Sequence, residues 1–249
     1  TREILGEEKV SALMTTTKQS LNRMRDVVDE YVKRGFRGIF LRALNPYGFA
    51  KKDHSLLGYQ AKDFIGAYKD AIKYIIEINL NGIYFEESYT TLLLSRILTP
   101  FSTGFVDLQS PAGVGISGVI YDYNGDVYPS DEARMLAKMG DATFLLGNVQ
   151  KDSYLDIFGG KKLKQLIKKS VTEVLPGCAF CALQRYCGAD PVRNYAEQGD
   201  IIGHRPTNAF CKKNMGIIRF LLEMIRKNKD EVMDVFWSWI TKRPLEELQ

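Results

Sequence analysis

The sequence predicts an α/β fold: the C-terminal portion of a partial (β/α) barrel over residues 1–100, a cysteine-rich α+β region with a β-hairpin over 101–215, and a C-terminal helical segment over 216–249. Three observations carry this. Strand and helix patterns alternate in the first part, an Asn124-Gly125 dipeptide sits between alternating apolar residues in the second, and all four cysteines, Cys178, Cys181, Cys187 and Cys211, fall close together after it.

Val10 to Thr16 is a short apolar and β-branched run ending in threonines, and it reads as a strand. Ser20 is placed to cap a helix reaching about Gly35, with Met24, Val27, Val28, Tyr31 and Val32 recurring at helical intervals. Gly38 to Leu44 reads as a second strand, closed by Asn45-Pro46 and Gly48. Ala61 to Asn79 carries an apolar stripe of Phe64, Tyr68, Ile72, Ile75 and Ile76. Strand, helix, strand, helix at these lengths predicts a parallel layer. Such a sheet buries both faces, so two strands and two helices are too few to close a core. The first hundred residues are therefore expected to belong to a larger barrel.

Phe85 to Leu98, with Leu92, Leu93, Leu94 and Ile97, reads as a helix, and Thr99 to Gly118, rich in Pro, Gly and Ser, as a linker. Asn124-Gly125 predicts a type I′ hairpin turn, which needs positive φ at both central residues. Asp131 to Met139 is expected to be a short helix with Asp131 and Glu132 at its positive end. Lys161 to Val174 is expected to be an amphipathic helix with Leu163, Leu166 and Ile167 inward. Its outer face holds Lys161, Lys162, Lys164, Lys168 and Lys169, either a solvated surface or a docking face for an acidic peptide. Nucleic acid is not expected as a partner, because the formal charge is only +4 and no aromatic residues interleave with the lysines. Ile217 to Ile240 reads as one long or two short helices, too charged to cross a membrane, so no membrane partner is expected. The lack of an apolar targeting or spanning segment points to the cytoplasm.

The spacing C-x2-C-x5-C-x23-C gathers four soft thiolates, the donor set taken by zinc or by an iron–sulfur cluster. Two disulfides would suit a small secreted domain, whereas this chain of 249 residues is 45% hydrophobic and can build a core without staples. Structural zinc is the stronger alternative, and would make the chain a non-catalytic module that binds a peptide or protein. Zinc ribbons usually present two close pairs of ligands; here only Cys178 and Cys181 form one, and His204 is an extra candidate. His54 and His204 are too isolated for a histidine-based mechanism and read as surface residues.

The run Gly177-Cys178-Ala179-Phe180-Cys181, continued through Cys187-Gly188-Ala189-Asp190-Pro191-Val192, resembles the cysteine-rich core of the SPASM domain of radical S-adenosylmethionine enzymes. Tyr121 to Asp131 resembles that family's hairpin, and Phe40 to Ala50 resembles the last strand of its partial barrel with the turn that leaves it. The departures are informative. Ser130 stands where the hairpin cysteine is expected, Ser117 is nearest the cysteine further upstream, and Asp190 takes the place of the fourth cysteine of the run. In two-cluster members those thiolates serve the first auxiliary cluster, and the four that remain here match the second. The resemblance therefore implies one auxiliary [4Fe–4S] cluster on Cys178, Cys181, Cys187 and Cys211, with no open iron, suited to structure or electron transfer.

The resemblance also implies S-adenosylmethionine in the complete enzyme and a peptide or protein substrate. The C-x3-C-x2-C motif that holds the family's catalytic cluster is absent, since no cysteine precedes Cys178. The chain is thus expected to be the C-terminal part of a longer enzyme whose N-terminal barrel half is missing here, in preference to a diverged protein that keeps only the accessory cluster, and to be unable by itself to cleave S-adenosylmethionine. Asp131 matches the place where sulfatase-maturing relatives carry an aspartate proposed as proton acceptor, against a reading as a helix cap. Arg42 ends an apolar strand, where barrels gather their chemistry, and is the candidate to reach the cofactor, against a reading as a buried ion pair. Asp131 to Leu136 and Cys187 to Val192 look like maturases acting on ribosomal peptides of His-Xaa-Ser systems.

Overall fold

A computed structural model describes residues 1–6 and 9–248, apart from the side chain of Phe49. Residues 7 and 8 of the expected barrel portion and residue 249, the last of the expected C-terminal segment, lie outside the described residues. The chain divides into two compact units: Thr1–Leu44, Ser55–Thr103 and Lys213–Gln249 form the first, Asn45–His54 and Gly104–Lys212 the second.

The first unit contains β1 (Ala12–Thr15), α1 (Met24–Lys33), β2 (Gly38–Arg42), α2 (Ala61–Leu80), β3 (Glu86–Glu87) and α3 (Ser88–Leu98). The strands form a parallel sheet in the order β1-β2-β3, with Ala12 beside Ile39 and Thr15 beside Arg42. The expected stripe on α2 is buried throughout, from Phe64 to Ile76. Two local readings are corrected. Ser20 does not cap α1: it has helical backbone angles, a single 3-10 turn intervenes, and its hydroxyl accepts from the Thr17 N–H at 2.9 Å. The stretch expected to be helical from Phe85 begins instead with β3, because the Asn79 side chain clamps the Phe85 backbone, donating to its carbonyl at 2.6 Å and accepting from its N–H at 3.2 Å.

Glu87 ends that short strand with a wholly buried carboxylate. It accepts from the Leu41 N–H at 3.0 Å, from the Thr90 N–H at 2.6 Å and from the Tyr68 hydroxyl. Burial raises its pKa, and these three donors oppose the rise by favouring the charged form. One carboxylate thereby ties β2, α2 and the start of α3 together.

Side chains alternate across the sheet. Ile39 and Leu41 are buried, and the register sets Ala12 and Met14 beside them. Phe40 and Arg42 are half-buried on the other face, where Leu13 is 54% exposed. The two-faced burial of a complete parallel sheet is therefore not reached within this unit. The expected C-terminal helix is two helices, Ala209–Lys227 and Asp230–Thr241, broken where Asn228 takes a positive φ of 45°. Phe236 and Trp239 are fully buried, and the Trp239 indole donates to Asn79 Oδ1 at 3.3 Å. No helix among the described residues is long and apolar enough to cross a membrane.

The second unit contains β4 (Ile120–Tyr121), β5 (Asp126–Tyr128), α4 (Asp131–Lys138), β6 (Gly147–Asn148), α5 (Tyr154–Phe158), α6 (Lys161–Lys168) and α7 (Pro191–Gln198). The strands make a small antiparallel sheet in the order β4-β5-β6. The hairpin forms, but its turn is not type I′. Gly125 alone is left-handed, at φ 86°, and it donates to the Asp122 carbonyl at 2.9 Å while the Asp122 N–H reaches Asp126 O at 2.8 Å. That is the three-residue loop with a glycine bulge. The lysine-rich helix ends at Lys168 rather than Val174, because buried Ser170 turns its hydroxyl to accept from the Ala112 N–H at 3.1 Å. Tyr47, Val114, Tyr128, Ala133, Leu136, Phe144, Leu166 and Val192 make up the core.

Candidate metal centre

The four cysteines reach their places by different local routes within the second unit. Gly177, at φ 74°, turns the chain into the pair: Cys178 donates to Leu175 O at 3.0 Å and Cys181 to Cys178 O at 2.9 Å, a tight double turn that brings both side chains off one loop. A 3-10 turn over Gln184–Tyr186 then delivers Cys187. Gly188 follows it against the chain at Asp107, whose carbonyl oxygen would lie 2.3 Å from a Cβ at that position. Only glycine fits there.

Cys211 comes from the far side of a polar knot. Buried Asn194 donates to Ile201 O at 3.1 Å and Ile202 O at 3.0 Å, and Asn208 donates to Asn194 Oδ1 at 3.1 Å. Asn208 in turn accepts from the Cys211 N–H at 2.8 Å, fixing the first turn of its helix.

All four thiols are half-buried, and none is in a disulfide. They sense one another: burial pushes Cys211 up to about 11, with Cys187, Cys178 and Cys181 adding to the rise and Arg205 opposing it. Burial likewise raises Cys178, again with Cys187 and Cys181 adding and Arg205 opposing. Burial first, and repulsion between like charges second, favour the protonated form of Cys178 and Cys211 unless a cation shares the site. As they stand, no three His, Cys, Asp or Glu side chains among the described residues form a group that could hold a metal ion. His204 is exposed and bonds Thr207 Oγ1 at 3.0 Å through Nδ1; His54 is exposed too.

Ser130 and Asp190, two of the positions where the resemblance leads one to expect further cysteines, line one cavity of about 190 Å³ together with Asp107, Asp131 and Glu132. Both act as helix caps. The Ser130 hydroxyl accepts from the Ala133 N–H at 3.2 Å at the start of α4, and Asp190 accepts from the Val192 N–H at 2.8 Å at the start of α7. Burial, with Asp107 and Glu132 nearby, pushes Asp190 up to about 7, although the Val192 N–H opposes this. Ser117 lies outside the cavity lining; its hydroxyl donates to Gln109 Oε1 at 3.0 Å.

Asp131 is not the cap of α4. It stands one residue inside, on the cavity wall, and accepts from Arg134 at 2.7 Å and 3.0 Å. Arg42 sits half-buried at the C-terminal end of β2 on the open face of the first unit's sheet. Arg205, Asn208 and Asp107 were not legible in the sequence because each lies in a stretch without periodicity or motif, and Asn194 because its partners, Ile201, Ile202 and Asn208, lie beyond its helix.

No family model and no curated protein matches the sequence. Solved structures do. A polyhistidine-tagged anSMEcpe with bound AdoMet is similar over 90% of this chain, with a TM-score of 0.61 and 19% identity. Native anSMEcpe with bound AdoMet and Kp18Cys peptide is similar over 86%, with a TM-score of 0.62 and 20% identity. The chain spans 56% of the length of either structure. At these identities the likeness concerns the fold alone: the chain has a mixed α/β fold similar to part of that of anSMEcpe.

Proposed function

We propose that this chain is the C-terminal portion of a radical S-adenosylmethionine enzyme that modifies a ribosomally made peptide or protein, and that Cys178, Cys181, Cys187 and Cys211 hold one auxiliary [4Fe–4S] cluster. The observation that carries this is the mutual influence of four half-buried thiols beside Arg205, on a fold similar to one solved with both AdoMet and a peptide. The donor set fits such a group, because soft thiolates are its usual ligands and a cationic core offsets the burial and the mutual repulsion that raise Cys178 and Cys211. When bound, it supplies a structural or electron-transfer centre.

The chain's own residues have supporting tasks. Arg205 neutralises charge at Cys178 and Cys211. Gly177 and Gly188 allow the close turns beside Cys178 and Cys187. Asp131, on the wall of the neighbouring cavity, is held by Arg134 through Oδ1 and is the candidate proton acceptor. Arg42, with Phe40 and Leu13, belongs to the sheet face that the remaining barrel strands and AdoMet would cover. The His-Xaa-Ser type of substrate rests on the residues after the hairpin and after Cys187 alone.

The test is elemental analysis of protein purified without oxygen, alongside its visible spectrum. About four iron and four sulfide per chain, lost in Cys211→Ala, support the reading. About one zinc and no sulfide replaces it with a zinc-stapled binding module.

A further inference from the structure

The first turn of helix α6 breaks the rules of a stable surface helix. Lys161, Lys162 and Lys164 occupy its first turn, where unbonded backbone N–H groups already make the end positive. No acidic residue stands there, and Gly160 offers no capping side chain. Lys161, Lys164 and Lys168 recur at helical intervals, a stripe of like charge about 10 Å long on the side away from buried Leu163 and Leu166.

The carboxylates close by are occupied elsewhere. Asp152 accepts from the Asn148 N–H at 2.7 Å, and Asp156 from Ser153 at 2.6 Å and 3.1 Å. Lys162 donates to the Leu145 carbonyl at 2.6 Å, and none of the five lysines on this helix and its C-cap forms an ion pair among the described residues. With Lys151, the segment 150–170 holds six lysines against two aspartates, a net of +4, which equals the formal charge of the whole chain. The rest of the sequence is balanced, so the excess positive charge sits here.

Directly before this helix, α5 presents Tyr154 and Leu155, 73% and 75% exposed, with Tyr154 braced 4.8 Å from the Phe158 ring. Gly159 and Gly160 join the two helices in a turn so close that a Cβ on either would lie 2.6 or 2.5 Å from the Leu155 or Asp156 carbonyl. The apolar pair and the lysines are thus held on one short, fixed piece of backbone.

We propose that α5 and α6 form a docking surface for an acidic peptide segment bearing apolar side chains. The lysines take its carboxylates, and Tyr154 and Leu155 its apolar residues. Binding removes the repulsion that the helix tolerates alone, which is the physical reason for an acidic occupant. A lipid surface is less suited, since the apolar face of α6 is buried in the core and two exposed side chains anchor little. RNA is less suited too, since the stripe has no arginine to grip phosphate bidentately. The proposal goes beyond the function above and holds whether or not the bound peptide is modified.

The test is fluorescence anisotropy with the full chain and a labelled synthetic peptide of glutamates with interspersed leucines. The expected result is saturable binding that weakens with salt. Reversal of the stripe by Lys161→Glu, Lys164→Glu and Lys168→Glu together should weaken it by roughly tenfold or more, and Tyr154→Ala with Leu155→Ala by a smaller factor. Two of the three changes place acid at the positive helix end and Lys168→Glu places it at the negative end, so the melting temperature should stay close to the parent's, separating lost binding from lost folding. Equal binding of a lysine–leucine peptide, unchanged affinity in the variants, or tighter binding of phosphatidylserine vesicles or poly-uridine RNA would overturn it. Iron and sulfide in the same samples report on the cluster separately, so either reading can fail alone.

Discussion

The parallel-sheet unit buries Phe64, Ile72, Ile75, Phe236 and Trp239 from long helices against a face of Ile39 and Leu41. The cysteine-bearing unit has strands of only two or three residues and takes its shape from caps, turns and side-chain hydrogen bonds such as the Asn194–Asn208 pair. The difference teaches where stability resides. Apolar burial is spread over many side chains and survives the loss of any one partner, whereas a loop ordered by a few polar contacts would lean on any metal or cluster that its four thiols held.

The comparison breaks most readily on metal removal. Chelation is expected to abolish protection from hydrogen exchange across residues 175–211 while leaving 61–80 protected, with a loss on the order of 10 kcal/mol for the ligated segment. Simultaneous loss in both stretches would show that the units share one cooperative core. Next in size is Trp239→Ala, which should lower the stability of the first unit by about 4 kcal/mol in urea and leave the iron content unchanged. That indole is fully buried and bonds Asn79, so both packing and a hydrogen bond go with it.

Asp190 sharpens the contrast through pH. Its carboxyl titrates near 7 when folded, against about 3.9 in an unfolded chain, so the folded state holds a proton that the unfolded state releases. The stability this contributes is fully present below about pH 4 and is lost as pH rises through 7. Asp190→Asn keeps a capping side chain and removes the titration. Its stability relative to the parent should therefore grow by roughly 3 kcal/mol between pH 4.5 and pH 8, measured by thermal melting. Smallest is Ser130→Ala, which deletes the α4 cap and should reduce stability by about 1 kcal/mol; Ser130→Asp, another capping residue, should restore it.

Some of this architecture was legible beforehand. The α2 stripe was, because a helix repeats its buried positions every three or four residues and writes them into local spacing. So was the hairpin, though not its turn: Asn124-Gly125 suits two loop types, and pairing of Ile120 with Tyr128 selects the one with Gly125 alone left-handed. The end of α6 was not legible, since Ser170 stops it by bonding Ala112, a residue remote in the chain. At the candidate centre the four thiols were readable as a donor set, while Arg205 was not.

By itself, then, the sequence determined the amphipathic helices, the parallel pairing of β1 with β2, the presence of a hairpin and which four thiols are the candidate donors. Each depends on residue types at short, regular separations. Only the tertiary structure decided that Ser130 and Asp190 line one cavity as helix caps, that Arg205 stands beside Cys178 and Cys211, and that Trp239 closes onto Asn79. Contacts between residues far apart in the chain are set by how whole elements pack, and no local pattern encodes them.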